Sequence, residues 1–111
     1  MGGAMKIRLA EHAKYQPDKM AKIALAATPR AQMDLYCLEP GQTQKVHAHE
    51  GQDKVYVVLQ GRGRFTLDGA DHALETGEAL VAAAGRQHGV VNDSGQRLLL
   101  LVFMAPPPPH A

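Results

Sequence analysis

The chain has 111 residues, 45% of them hydrophobic and 21% charged, with 12 basic residues against 11 acidic ones for a formal net charge of +1. That length fits one domain around one core, and that composition is too apolar for a disordered chain. The cations are scattered (Lys19, Lys22, Arg30, Lys45, Lys54, Arg62, Arg64, Arg86, Arg97) and form no stripe such as a phosphate backbone requires, so no nucleic-acid partner is expected.

Residues 1–31 read as an N-terminal extension with room for one strand, of which Met1–Ala4 carry no structural signal. In residues 18–27, DKMAKIALAA, the alanines favour a helix by propensity, while Ala21, Ile23, Leu25 and Ala27 alternate as a strand does; the strand is preferred. From position 32 the segments between turn signals are too short for helices. Strands are expected at Gln32–Glu39, closed by Pro40-Gly41, at Gln44–His49, and at Lys54–Leu59, which stops before Gly61. Arg64–Leu67 and His72–Glu75 flank Asp68-Gly69, a pair that tolerates the positive φ of a hairpin turn. Ala79–Ala82 follows Gly77-Glu78, His88–Val91 follows Ala84-Gly85, and Arg97–Met104 follows Asn92–Gly95. Short strands at this regular spacing indicate a sandwich or barrel over residues 32–104. The proline-rich tail, 105–111, cannot donate ladder hydrogen bonds and ends the last strand.

The runs VYVVL and LLLLVF are apolar at every position, so those strands are buried on both faces. For so small a chain the simplest outer cover is a second copy, and a homodimer is expected. A single cysteine, Cys37, excludes an intrachain disulfide and reads as a small buried hydrophobe. No apolar run reaches the length of a signal peptide or a bilayer span, so a cytoplasmic protein without a membrane partner is expected.

His47 and His49 lie two apart on a segment read as a strand, which places both imidazoles on one face, close enough to share an ion. His88 lies on another turn-bounded strand, and only a closed barrel or paired sheets would bring it to them. Imidazole is the commonest protein ligand for first-row transition metals, but two histidines on a strand edge are also common without one.

The flanking residues add a resemblance. The chain reads G41-QTQKV-H47-A-H49-EGQD-K54-VYVVLQ-G61 and G77-EALVA-A83-A-G85-RQ-H88-GVV-N92. Both stretches resemble the two motifs of the cupin superfamily in every spacing. The resemblance covers about residues 32–104 and implies an all-β double-stranded β-helix, or jelly-roll barrel. It also implies a divalent metal (Zn, Fe, Mn or Ni) held inside the barrel by two histidines, a glutamate and a third histidine, here His47, His49 and His88. Ala83 stands where the family has proline. Lys54 stands where it has the glutamate, and an ammonium cannot ligate. Asp53, one residue earlier, is the candidate fourth ligand if a bulge absorbs the extra residue before Gly61; the alternatives are a solvated Asp53-Lys54 pair, or an inward Lys54 that replaces the metal by a salt bridge or a reactive amine.

Tyr56 and Val58 share the phase of Lys54 and point to the same interior. Gln44, Arg86 and Gln87 read as solvated turn residues, and Phe65, Leu67 and Leu74 as core. Asn92 reads as a turn cap, while His12, His72 and His110 have no partner pattern. Two functions are consistent with the sequence: a metal-dependent oxygenase or isomerase acting on a small organic molecule, or a non-catalytic domain that binds or senses one.

Overall fold

The computed structural model describes residues 6–108; Met1–Ala4 and His110 lie outside the described residues. A short 3₁₀ helix, Leu9–His12, precedes nine strands: β1 Ala21–Ala27, β2 Gln32–Leu38, β3 Thr43–His47, β4 Asp53–Gln60, β5 Arg62–Leu67, β6 Ala70–Glu75, β7 Ala79–Ala82, β8 His88–Val91 and β9 Leu98–Ala105. They form two antiparallel sheets, ordered β1-β2-β9-β4-β7 and β3-β8-β5-β6. The two-sheet all-β architecture expected from the turn spacing, and the jelly roll implied by the resemblance, are observed, and the ambiguous alanine-rich segment is a strand.

The turns explain why the chain breaks where it does. Gly41, Gly61, Gly69, Gly77 and Gly85 all have positive φ, each beside a strand end, in backbone conformations that side chains rarely adopt. Gly61 is the tightest of these, since a Cβ there would lie 2.4 Å from the Arg97 carbonyl oxygen. Asn92, fully buried, ties the β8–β9 turn together. Its Nδ2 donates to the Leu38 and Gln96 carbonyls at 3.1 and 2.7 Å, and its Oδ1 accepts from Ser94 N and Oγ at 3.1 and 2.7 Å.

The core lies between the sheets. Tyr36, Leu38, Tyr56, Val58, Phe65, Leu98, Leu100 and Val102 are buried there, each burial contributing about 1.5–3 kcal/mol for an aliphatic or phenylalanine side chain. The opposite residues of the same strands form a second cluster on the outer face: Leu35, Cys37 and Leu99, packed with Leu9, Ala13, Tyr15 and Leu59. Part of the cover expected from a second copy is therefore supplied by the chain's own N-terminal segment. That segment is held by Gln42 Nε2, which donates to the Gln16 carbonyl at 2.7 Å, and by the Arg97 guanidinium, 4.4 Å from the Tyr15 ring centre. Farther along the same face Phe103 and Val81 remain 40% and 60% exposed, with Val55, Val57 and Leu101 partly buried between them. No helix among the described residues is long and apolar enough to cross a membrane.

Candidate metal centre

His47, at the end of β3, is the cross-strand partner of His88 on β8. The route to that pairing is irregular. Thr43 and Gln44 pair with Val91 and Val90, yet His47 pairs with His88, so three steps along β3 are matched by two along β8. This β-bulge inverts the alternation and turns both Gln44 and His47 inward while Val46 is left 52% exposed. Gly89 makes room for it: a Cβ there would stand 2.9 Å from the Gln44 carbonyl oxygen and 3.0 Å from the Val46 Cα.

Strand alternation was expected to align His47 with His49, but β3 ends at His47 and His49 sits beyond it. The two rings meet because the chain leaves the sheet there. Ring centres are 4.7 Å apart for His47–His49, 4.4 Å for His47–His88 and 5.8 Å for His49–His88. One ring nitrogen from each lies within 4.8 Å of the others, so the three histidines could hold a metal ion.

The protonation pattern suits that task. His47 Nδ1 lies 2.7 Å from the Lys45 carbonyl oxygen and His88 Nδ1 lies 3.0 Å from that of Arg86. A carbonyl oxygen can only accept, so each Nδ1 carries the proton and the lone pair of the neutral ring is on Nε2. A carbonyl bonded to the far nitrogen is how ligating histidines are commonly oriented. His88 is 2% exposed and its Nε2 is buried without a hydrogen-bond partner. Burial pushes the His88 imidazole down to about 4, against the opposing pull of the Arg86 carbonyl and with Lys54 adding to the shift. His47 and His49 are also lowered, burial again being the largest cause. All three favour the neutral, ligating form. The residues present fit a divalent metal.

The fourth position does not follow the expected pattern. Asp53 was expected to complete the ligand set, but β4 runs in regular register from Asp53 to Val58, with Lys54, Tyr56 and Val58 inward and Asp53 exposed on the other face. The irregularity anticipated in this strand exists, between Val58 and Gln60, too far along to turn Asp53 inward. Asp53 Oδ1 instead accepts from the Ala84 backbone N–H at 2.9 Å and braces the turn between β7 and β8. Lys54, 3% exposed, takes the inward position. Burial is the main force pushing its ammonium down to about 7, with neighbouring Lys22 adding to the effect and Asp34 opposing it.

Around Lys54 lies a polar network that is only partly legible in the sequence. Tyr56 OH donates to Gln44 Oε1 at 2.6 Å, and Gln44 Nε2 donates to Tyr36 OH at 3.3 Å. Gln44 is thus buried inside the barrel, not solvated in a turn. Burial raises both tyrosines, Tyr36 to about 12, so both stay protonated donors. Asp34 and Tyr36 were missed as interior residues, and Lys22 as a neighbour of theirs; the signal was an aspartate in an otherwise apolar strand, MDLYCL. Arg86 and Gln87 do stay at the exposed rim, both bonded to Asp68.

Residues 34–104 match the cupin domain, and the chain belongs to that family. It is 31% identical over 67 residues to an oxalate-binding protein of Thermotoga maritima; the match covers 60% of this chain and 55% of that one, so it spans only about half of the curated relative's length. Among solved structures it is similar to the TT1209 protein of Thermus thermophilus, at 48% identity and a TM-score of 0.90, over 94% of this chain and 100% of that one. It is also similar to an RmlC-like cupin from Desulfovibrio desulfuricans, at 25% identity and a TM-score of 0.86, over 96% and 100% of the two chains.

Proposed function

We propose that this cupin holds one divalent transition metal at the imidazoles of His47, His49 and His88 and acts as a metal-dependent enzyme, an oxygenase or isomerase, on a small organic molecule. The observation that carries the metal is His88 Nε2, a buried lone pair with no partner, beside two further neutral imidazoles. Leaving such a group unsatisfied is costly, and an ion shared with the other two imidazoles removes that cost. Three protein ligands leave coordination positions free, as in catalytic sites, and the bound ion would supply Lewis-acid or redox chemistry to an oxygen donor placed there. The chain's own contribution is orientation. The Lys45 and Arg86 carbonyls fix two rings, and Tyr36, Gln44 and Tyr56 present a hydrogen-bonded wall to the ligand.

Metal analysis of the purified chain, after reconstitution with zinc, iron, manganese and nickel in turn, should find about one equivalent with at least one of them, lost in His88→Ala. Wild-type protein that retains none under any of these conditions refutes the assignment. The second reading, ligand binding without turnover, is favoured by the Thermotoga maritima relative, described as oxalate-binding. Oxygen uptake and product analysis with metal-loaded protein against small phenols, thiols and diketones separate the two, since only the enzyme consumes its substrate.

We also infer that the chain self-associates through the outer face of the five-stranded sheet. Val55, Val57, Val81, Leu101 and Phe103 form an uncharged strip there beyond the reach of the N-terminal segment, and a second copy is the occupant with a matching apolar surface. Sedimentation at low concentration should give twice the chain mass; a persistent single-chain mass refutes the dimer.

A further inference from the structure

Lys54 is not used by the metal reading. Its Nζ stands 5.0 Å from the Tyr36 ring centre and 5.2 Å from that of Tyr56. Lys22, paired with Tyr36 across β1 and β2, brings its own Nζ to 5.4 Å from the same Tyr36 ring. Two ammonium groups therefore lie against one aromatic ring. Among the described residues neither has a carboxylate within ion-pair distance. Asp34, the buried acid of that inner face, is engaged elsewhere: both of its oxygens accept from Gln32 Nε2, at 3.1 and 3.2 Å. The remaining ionisable side chains near this space are the three histidines and Tyr56.

A cation buried beside a like charge with no counter-ion is destabilising, and an apolar side chain of the same volume would be more stable. Attraction to the ring faces offsets only part of that penalty. Two cations here face one buried carboxylate, Asp34, that forms an ion pair with neither, so the arrangement is short of negative charge. We propose that Lys22 and Lys54 form an oxyanion subsite over Tyr36, and that the ligand of this barrel is a small carboxylate whose charged group sits between the two ammoniums. An open cleft of about 520 Å³ between the N-terminal segment and β3 reaches Lys22 and Gln44, and Gln16, Lys19, Met20 and Thr43 complete its lining. Gln44 is bonded to both tyrosines over which Lys54 stands, and Lys19 adds a third positive charge along the cleft. A ligand entering this way is drawn inward by charge and meets the hydrogen-bonding wall before the histidines. The subsite deepens the metal reading, because three neutral imidazoles leave the charge of a divalent ion uncompensated. It is nevertheless carried by the lysines of the metal-free chain and can be tested apart from the metal.

The test is calorimetric titration of the full chain with malonate and with malonamide, its uncharged analogue, once in chelator and once loaded with zinc. Malonate should bind the metal-free wild type and malonamide should not. Lys54→Met should weaken malonate at least about tenfold, Lys22→Met by a smaller factor because that side chain is exposed, and Lys54→Arg, which keeps the charge, should retain most of the affinity. Lys6→Met, far along the chain at an exposed site, should change nothing. Equal malonate affinity in wild type and Lys54→Met, equal binding of malonamide, or no malonate binding in either metal state overturns the subsite. Malonate binding that requires zinc and ignores both lysines overturns it while leaving the metal reading intact. Lysine-dependent binding in chelator upholds it whether or not the chain holds zinc.

Discussion

Replacing Lys54 by methionine in the metal-free protein removes a buried charge while conserving most of its volume, so it should stabilise the fold. Lys54 titrates at about 7 in the folded chain against an ordinary 10.5. Its folded value lies below its unfolded one, so between these limits the unfolded chain binds more protons. The penalty is therefore fully present below pH 7 and is lost as pH rises toward 10.5. At roughly 1.4 kcal/mol per unit, the cost near pH 7 is on the order of 4 kcal/mol and near pH 9 on the order of 2 kcal/mol. Urea denaturation in chelator should show Lys54→Met exceeding wild type by several kcal/mol at pH 7, with the gap narrowing by about 2 kcal/mol at pH 9. Taking the difference between the two proteins cancels the upward-shifted Cys37, Tyr36 and Tyr56, which lower the stability of neither relative to the other in the alkaline range. A gap that is flat with pH, or a variant less stable than wild type at pH 7, would refute the picture of an unpaired interior ammonium.

Gly89→Ala forces a Cβ against the Gln44 carbonyl and Val46 Cα; denaturation should show a loss of about 1–3 kcal/mol, and zinc affinity should fall at least about tenfold as the bulge relaxes and His47 turns away. Asp53→Ala should cost about 1 kcal/mol through the orphaned Ala84 N–H and leave zinc affinity unchanged, whereas a fall of about tenfold in zinc affinity would make Asp53 a ligand. Because the folded values of His47, His49 and His88 are depressed, their neutral forms persist as pH falls through the ordinary histidine range. Zinc competition titrations should then show only a few-fold weakening from about pH 7.5 to about pH 6, where three unperturbed imidazoles would lose roughly fifty-fold.

The strand pattern was legible because the signals that stop strands are local. Gly41, Gly61, Gly69, Gly77 and Gly85 all adopt positive φ, and their spacing alone delimits segments too short for helices. The convergence of His47, His49 and His88 was legible for a different reason: the motif spacings place them on known strands of a known barrel. The detailed cause was not. Simple alternation from Gln44 would have sent His47 outward, and the bulge that corrects it depends on Gly89, distant in the chain and adjacent only across the sheet. Similarly, the contest between Asp53 and Lys54 could not be decided from their one-residue separation, because either phase of β4 satisfies the local pattern. Pairing of Lys54 with Met104 and Ala82 decides it.

Sequence alone thus determined the all-β class and the turns, which follow from backbone preferences along the chain, while the jelly roll and the set of three imidazoles came from the resemblance of its motifs to the cupin pattern. Tertiary structure decided the phase of each strand, the N-terminal cover over Leu35, Cys37 and Leu99, and the placing of Lys22, Lys54 and Asp34 around one buried aromatic pair. These depend on which residues lie opposite one another across sheets, and one bulge is enough to exchange the inside of a strand for its outside.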